Sequence, residues 1–187
     1  RKNITTHFEI VVETNAPPKT LPLIVTPING IPMKKKFTFK TGAAKDQQSD
    51  YPLKYTFGYK IDNMTIIIGT FYEYQVARTQ LPFADKIYTF VEVSDNNNAT
   101  VHVRGQAVNA NEKYKFDQSE IEFKLAEIEG NLKRNDYTKT LNSAVVFILT
   151  QKKLMSDEDL KKNEEKILEM LKNELESLRS SKAVTFV

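Results

Sequence analysis

The sequence predicts an antiparallel β-sandwich of the fibronectin or immunoglobulin type over residues 1–110, followed by an α-helical segment of about three helices over residues 111–187. Two observations lead to this fold. In the first part, short β-patterned runs recur about every ten residues with turn residues between them, as the strands of a sandwich do. All seven prolines and five of the six glycines precede residue 106, and beyond it charged residues, Leu and Ile dominate. We therefore expect the chain to change from strand to helix near residue 110.

The clearest strand follows Pro52, where apolar residues alternate without a break. The residues on one face of this strand are Leu53, Tyr55, Phe57 and Tyr59. An alternation of this kind is typical of a half-buried strand. Each of the three aromatic rings buries roughly 150–250 Å² in a core. We therefore predict that this strand is the centre of the sandwich.

Further runs on either side have the pattern of strands, so the region contains the seven or eight strands expected of a sandwich. These runs are 8–12, 21–25, 36–40, 65–69, 71–78, 86–93 and 100–108. Pro22 interrupts the second run, which suits an edge strand because proline donates no ladder hydrogen bond. The run 86–93 is apolar on both faces, which predicts a central position in its sheet.

Two helices are predicted directly after the sandwich. Asp117, with Glu120 three residues later, has the spacing of a capping box, and Asp136 is placed to cap a second helix. Apolar residues recur at helical spacing after each cap. The predicted stripes are Ile121, Leu125, Ile128 and Leu132 on the first helix, and Tyr137, Leu141, Val145 and Leu149 on the second.

A third helix is predicted to begin at the cap Ser156–Asp159. Its apolar stripe, a candidate interaction surface, consists of Leu160, Ile167, Leu171, Leu175 and Leu178. Each stripe must be covered, either by the other helices or by a flanking domain. Residues 183–187 have the pattern of a final strand.

Composition argues against several classes of protein. The net charge of +3 is small, and neither residues 1–110 nor residues 111–187 have the concentrated basic field that nucleic-acid binding requires. Lys34–Lys36 is interpreted as solvated protection of a sheet edge. No apolar run approaches the roughly 20 residues of a membrane helix. The chain opens on Arg, so we expect a piece of a longer protein, with any signal peptide or membrane anchor outside it.

Three Asn-x-Thr triplets are candidate N-glycosylation sites. They begin at Asn3, Asn63 and Asn98, and the last two fall in predicted turns. An attached sugar would project into water from such a turn.

The absence of cysteine removes disulfides, thiolate metal ligands and a cysteine nucleophile, and by itself it favours a reducing compartment. The triplets favour the secretory route instead.

Four aspartates follow or precede predicted strands. They are Asp46, Asp50, Asp62 and Asp95. Loops at one pole of a sandwich can bind Ca²⁺ through carboxylate and backbone oxygens. No Asp-x-Asp-x-Asp ladder accompanies them, so we predict no cofactor and keep calcium as an alternative to simple turn formation. Asp157–Asp159 is interpreted as a helix cap for the same reason.

Catalytic signals are weak in this sequence. His7 and His102 are the two histidines, and no serine lies in a nucleophile-elbow pattern, so neither histidine belongs to a recognisable triad. No carboxylate pair stands out at inward strand positions. The Tyr-rich strands suggest a sugar-stacking platform as an alternative to core packing. The tyrosines concerned are Tyr51, Tyr55, Tyr59, Tyr72, Tyr74 and Tyr88.

A Pro-Leu-x-Tyr-x-Phe-Gly-Tyr segment lies at 52–59, and Leu81–Pro82 and Val91–Asp95 follow it before the last strand. Through these motifs, and mostly through the segment at 52–59, the stretch 37–103 resembles the REJ (receptor for egg jelly) module of polycystin-family and related surface proteins. The resemblance implies an extracellular sandwich followed by helices rich in Leu and Ile, and it supplies no catalytic residues. The chain departs from the family at 43–50, where a Trp and a cluster of acids are usual.

Together these observations predict a non-enzymatic structural and adhesive segment of a large extracellular protein on a cell surface or cilium. The expected partners are flanking domains of the same longer chain, other surface or filament subunits, and N-linked glycans. The alternative is a secreted carbohydrate-binding module that uses the Tyr-rich strands. An esterase or glycosidase is a third hypothesis, which turnover of a generic substrate panel would support.

Overall fold

A computed structural model describes residues 9–10, 14–112, 114 and 116–184 of the chain, except for some side chains beyond residue 174. Within these residues seven strands precede three helices. The strands are β1 Ile24–Thr26, β2 Lys36–Lys40, β3 Lys54–Ile61, β4 Met64–Tyr72, β5 Val76–Gln80, β6 Ala84–Ser94 and β7 Thr100–Ala110. The helices are α1 Gln118–Lys133, α2 Tyr137–Leu154 and α3 Asp157–Val184. A short 3₁₀ helix covers Gln48–Asp50.

The strands form two antiparallel sheets, in the orders β1-β2-β5 and β4-β3-β6-β7. One core lies between them, with Phe37 and Phe39 from the first sheet and Phe57 and Val91 from the second. The predicted sandwich followed by helices is therefore confirmed. We call the end at which Lys54 pairs with Ser94 the β3-start pole, and the opposite end the β3-end pole.

Strand β3 occupies the internal position predicted for it. Its rings are almost fully buried, with Tyr55 1 %, Phe57 0 % and Tyr59 1 % exposed. The Tyr55 hydroxyl accepts a hydrogen bond from the Ala44 N–H at 2.8 Å. The Tyr59 hydroxyl has no partner among the described residues, and burial raises its pKa. Pro52, on the connection into β3, is exposed.

The predicted single strand over 71–78 is wrong, because the chain changes sheets within it. Strand β4 ends at Tyr72 in the four-stranded sheet, and β5 begins at Val76 in the three-stranded sheet. Glu73 turns the chain with a left-handed backbone, φ 59°. Its carboxylate accepts a hydrogen bond from the Leu53 N–H at 2.6 Å, and its own N–H donates to the Leu53 carbonyl at 3.0 Å.

Other predicted strands agree with the structure where it describes them. Strand β1 lies at a sheet edge and β6 in a sheet interior, both as predicted. Most of the run 8–12 falls outside the described residues. Within it, Glu9 and Ile10 lie in no strand and Ile10 is 84 % exposed, so the predicted strand is wrong at these two residues.

Helix α1 forms as predicted. Asp117 Oδ1 accepts from the Glu120 N–H at 2.9 Å, and Glu120 Oε2 accepts from the Asp117 N–H at 3.3 Å, which completes the capping box. The hydrogen bond from the Ser119 side chain, together with the one from the Glu120 N–H, lowers the pKa of Asp117. The whole predicted stripe is buried, and its members are Ile121, Leu125, Ile128 and Leu132.

The stripe predicted for α2 is wrong at Tyr137 and Leu141, whereas Val145 and Leu149 are half-buried. Tyr137 and Leu141 are 41 % and 56 % exposed. The buried residues are instead Thr140, Ala144, Val146, Phe147, Thr150 and Gln151. Small and hydroxyl side chains can be buried here because their polar atoms find partners, as when the Thr150 hydroxyl donates to the Val146 carbonyl at 2.7 Å. Leu149, which was also predicted, packs against the sandwich core.

Helix α3 begins after Ser156, whose hydroxyl accepts from the Asp159 N–H at 3.3 Å, so the predicted cap is confirmed. Ile167 is buried, Leu171 packs against the helical core and Leu160 is half-buried. The side chains of Leu175 and Leu178 lie outside the described residues. The helix continues to Val184, so the predicted final strand is wrong at Ala183 and Val184, and 185–187 lie outside the described residues.

The helices pack on one another and on the sandwich. Met33, from the segment before β2, is 1 % exposed within the helical core. Asn142 Nδ2 donates to the Ile68 carbonyl at 2.7 Å, and the Phe83 N–H donates to the Thr150 hydroxyl at 3.1 Å. These bonds join α2 to β4 and to the connection before β6. The two parts of the chain therefore share a hydrogen-bonded interface.

Lys34 also contributes to this interface. Its ammonium group forms an ion pair with Glu120 and a hydrogen bond with the Tyr114 hydroxyl. The hydrogen bond from Lys34 to Glu120 lowers the pKa of that carboxyl. Strand β2, which Lys36 begins, lies in the middle of its sheet. The interpretation of Lys34–Lys36 as edge protection is therefore wrong.

Candidate functional site

Sheet pairing brings three aspartates together at the β3-start pole. Asp46 and Asp50 lie in the segment that leads into β3, and Asp50 ends the 3₁₀ helix. Asp95 directly follows β6. Because β3 and β6 are antiparallel neighbours, the start of one lies beside the end of the other. We call Asp46, Asp50 and Asp95 the aspartate cluster.

The cluster is compact and largely removed from water. Each carboxylate offers an oxygen that lies within 4.8 Å of the oxygens offered by the other two. Asp50 is 6 % exposed and Asp95 3 %, while Asp46 is half-buried. Asp62, the fourth predicted member, lies in the β3–β4 turn at the β3-end pole. Of the four aspartates considered as calcium ligands, Asp62 therefore lies apart from the other three.

Hydrogen bonds hold Asp95 in place. Its Oδ1 accepts from the Asn97 and Ala99 N–H groups at 2.8 and 2.9 Å. Its Oδ2 accepts from Asn15 Nδ2 at 2.6 Å. Both oxygens of this buried carboxylate are therefore satisfied, and they connect the β6–β7 turn to the segment before β1.

Asp50 is tied to the same turn. Its Oδ1 accepts from Asn97 Nδ2 at 3.0 Å, and its backbone carbonyl accepts from the Asn96 N–H at 2.9 Å. Sequence reasoning missed Asn15 and Asn97 as neighbours of the aspartates. Asn15 is 80 residues from Asp95 and carries no local signal of this contact.

Within the described part of the chain, the acids of the aspartate cluster are not paired with basic side chains. Among the described residues, none of the ion pairs involves Asp46, Asp50 or Asp95. Asp46 Oδ1 accepts from the Gln47 N–H at 2.9 Å, but Asp46 Oδ2 is buried without a hydrogen-bond partner in the described part of the chain. Carboxylate oxygens arranged in this way can act as ligands of a hard cation.

The two described glycosylation triplets lie on exposed turns. Asn63 follows Asp62 in the β3–β4 turn and is exposed. Asn98 lies in the β6–β7 turn, exposed and with a left-handed φ of 66°. Asn3 lies outside the described residues. Both described asparagines are therefore accessible to a glycosylating enzyme.

The tyrosines divide between the core and the surface. Tyr55 and Tyr59 belong to the core, whereas four others are exposed, namely Tyr51 at 39 %, Tyr72 at 62 %, Tyr74 at 71 % and Tyr88 at 54 %. Tyr72 pairs with Lys54, and Tyr88 pairs with Lys60. These two partners on β3 are six positions apart, so Tyr72 and Tyr88 are separated by about 20 Å along the strand direction. The six tyrosines do not form one platform, although Tyr72 and Tyr74 lie close in the chain.

His102 lies on the outer face of the four-stranded sheet. Its ring stacks on Phe90 with centroids 5.1 Å apart, and its Nδ1 lies 3.2 Å from Glu92 Oε1. His102 is therefore a solvent-facing side chain. His7 lies outside the described residues.

The helices frame an apolar cleft of about 380 Å³, lined in part by Met33, Phe116 and Ile121. A second cleft, of about 490 Å³, lies between the sheets and helices α1 and α2. His102 lines neither cleft. Among the described residues, no helix is both long and apolar enough to cross a bilayer.

No protein-family model matches this chain, and no curated protein matches it. The resemblance to the REJ module therefore stays a prediction from residues 37–103.

Proposed function

We propose that this chain is a non-enzymatic structural and adhesive module of a longer extracellular protein, on a cell surface or cilium. It acts by holding flanking domains of its own chain, and neighbouring surface subunits, in a fixed relation. The observation that carries the proposal is the hydrogen-bonded interface between the helices and the sandwich. Such an interface lets force applied at one end of the module reach the other without a flexible joint.

Three contacts support this mechanical role. Asn142 on α2 donates to the Ile68 carbonyl, Thr150 on α2 accepts from the Phe83 N–H, and Lys124 on α1 donates to Gln80 Oε1 at 2.7 Å. They reach β4, the end of β5 and the connection before β6, which are separate points on the sandwich. Bonds at separate points resist rotation of one part on the other. The helices therefore act as a brace.

Pulling on the chain between two marker domains tests this role. We expect the helices and the sandwich to unfold in one step. Thr150→Val removes the acceptor of the Phe83 N–H and should lower the free energy of unfolding by about 1–3 kcal/mol. It should also lower the unfolding force, or divide the event into two steps.

Thr138→Val is the matched control. Thr138 lies on the same helix but is exposed, so the same chemical change should leave the force profile unchanged. If the wild-type chain releases its helices at low force before the sandwich unfolds, it is not a brace and the structural proposal fails.

The proposed extracellular location has a test of its own. When the chain is directed through the secretory pathway of a eukaryotic cell, we expect glycans on Asn63 and Asn98, because both asparagines are exposed. Peptide-amidase treatment should then reduce the mass of the secreted chain. Asn63→Gln and Asn98→Gln should each remove one glycan, and Asn96→Gln, which lies in no triplet, should remove none. A secreted chain without glycans would argue against this location.

The second candidate function is carbohydrate binding. Tyr72 and Tyr74 are the observation that favours it, because both rings are exposed at the β3-start pole and sugars stack on exposed aromatic rings. Glycan-array binding that disappears in Tyr72→Ala and Tyr74→Ala would favour this function over a purely structural module.

A further inference from the structure

We propose that the aspartate cluster, Asp46, Asp50 and Asp95, is a Ca²⁺ site that ties the segment before β3 to the β6–β7 turn. The site is a property of the chain itself, so it goes beyond the proposed function and does not rest on it.

The concentrated negative charge of the cluster favours a bound cation. Three carboxylates offer oxygens within 4.8 Å of one another, and two of the three side chains are almost inaccessible to water. Like charges at this separation repel strongly when water does not screen them. None of the three forms an ion pair with a lysine, arginine or histidine in the described residues. A bound divalent cation would compensate this charge.

An unsatisfied oxygen in the cluster independently favours a bound cation. Asp46 Oδ2 is buried and accepts no hydrogen bond in the described part of the chain. Buried carboxylate oxygens in folded proteins normally have partners. In contrast, both oxygens of the buried Asp95 carboxylate accept hydrogen bonds.

The ligand atoms that the cluster offers favour calcium over other metals. The cluster offers carboxylates, without a histidine, and the chain has no cysteine, so it lacks the nitrogen and sulfur ligands typical of zinc or copper sites. Asn15 and Asn97 direct side-chain amides at Asp95 and Asp50. Rotation of either amide would turn its carbonyl oxygen toward a cation. Ca²⁺ accepts six to eight such oxygens in irregular geometry, whereas Mg²⁺ demands a near-ideal octahedron.

Calcium titration of the purified chain, after treatment with a chelator, tests the site. We expect saturable binding by calorimetry, with a dissociation constant of about 10⁻⁴–10⁻³ M, the range of extracellular calcium modules. Ca²⁺ should raise the midpoint of thermal unfolding, and Mg²⁺ at the same concentration should raise it less. Failure of the wild-type chain to bind Ca²⁺ within about tenfold of that range would overturn the proposal.

Asp46→Asn is the informative variant, because Asp46 is half-buried and only its Oδ1 accepts a hydrogen bond from the described residues. It should weaken calcium binding at least tenfold. In chelator its unfolding midpoint should equal or exceed that of the wild type, because one of three like charges is gone. A purely structural role for Asp46 predicts the opposite, a lower midpoint in chelator and no change in calcium affinity.

Asp62→Asn is the matched control. Asp62 is exposed at the β3-end pole with a φ of 48°, a conformation that asparagine also tolerates. We expect its calcium affinity to equal that of the wild type. If Asp62→Asn weakens binding as much as Asp46→Asn does, the ion is held by diffuse negative charge and the proposed site is wrong.

Discussion

Phe57→Ala is expected to lower the free energy of unfolding by about 3–5 kcal/mol, the range for loss of a buried aromatic ring. Phe57 is 0 % exposed at the middle of β3. Its ring faces Phe71, with centroids 6.3 Å apart. Because both sheets meet over this ring, the substitution would leave a cavity that neither sheet can close alone. Chemical denaturation followed by tyrosine fluorescence measures the loss, since the chain contains no tryptophan.

Tyr72→Ala is the control for this prediction. Tyr72 lies on β4, beside β3 in the same sheet, but it is 62 % exposed. Removing its ring should change the free energy of unfolding by no more than about 0.5 kcal/mol. Equal losses in the two variants would mean that the ring of Phe57 does not hold the sheets together.

Strand β3 and helix α1 could be predicted from the sequence because their signals are local. Alternation over eight residues places Tyr55, Phe57 and Tyr59 on one face of any strand, whatever its neighbours are. The spacing of Asp117 and Glu120 similarly determines a capping box within one turn of helix. Neither inference required knowledge of a distant part of the chain.

The change of sheets at Glu73 could not be predicted in this way. Residues 71–78 have continuous strand propensity, and the interruption depends on hydrogen bonds between Glu73 and Leu53, twenty residues apart. The buried face of α2 was missed for a related reason. Large apolar residues suggested one stripe, but close packing against β4 and the other helices favours the small Ala144 and the hydroxyls of Thr140 and Thr150.

The aspartate cluster shows that strand topology determines which of the residues selected from the sequence come into contact. Composition and turn position selected four aspartates, but strand direction decides which of them meet. Asp50 precedes β3 and Asp95 follows β6, so antiparallel pairing places them together. Asp62 follows β3 and therefore lies at the other end. The part played by Asn15 depends on a contact across 80 residues, which no local pattern encodes.

Phe147→Ala is expected to lower the free energy of unfolding by about 3–5 kcal/mol as well, and to do so for the whole module. Phe147 on α2 is 0 % exposed and belongs to the helical core that Met33 enters from the segment before β2. The interface bonds from Asn142 and Thr150 lie on the same helix. Loosening α2 should therefore weaken its attachment to the sandwich.

Two probes measured on one denaturation curve decide whether the parts unfold together. Helical circular dichroism reports mainly on the helices, and tyrosine fluorescence reports mainly on the sandwich, which contains six of the eight tyrosines. In Phe147→Ala both midpoints should fall by the same amount, because coincident transitions are the mark of one cooperative unit. Phe123→Ala on α1, where the ring is 69 % exposed, should shift neither. If Phe147→Ala lowers the helical midpoint and leaves the tyrosine midpoint unchanged, the helices melt separately and cannot brace the sandwich against load.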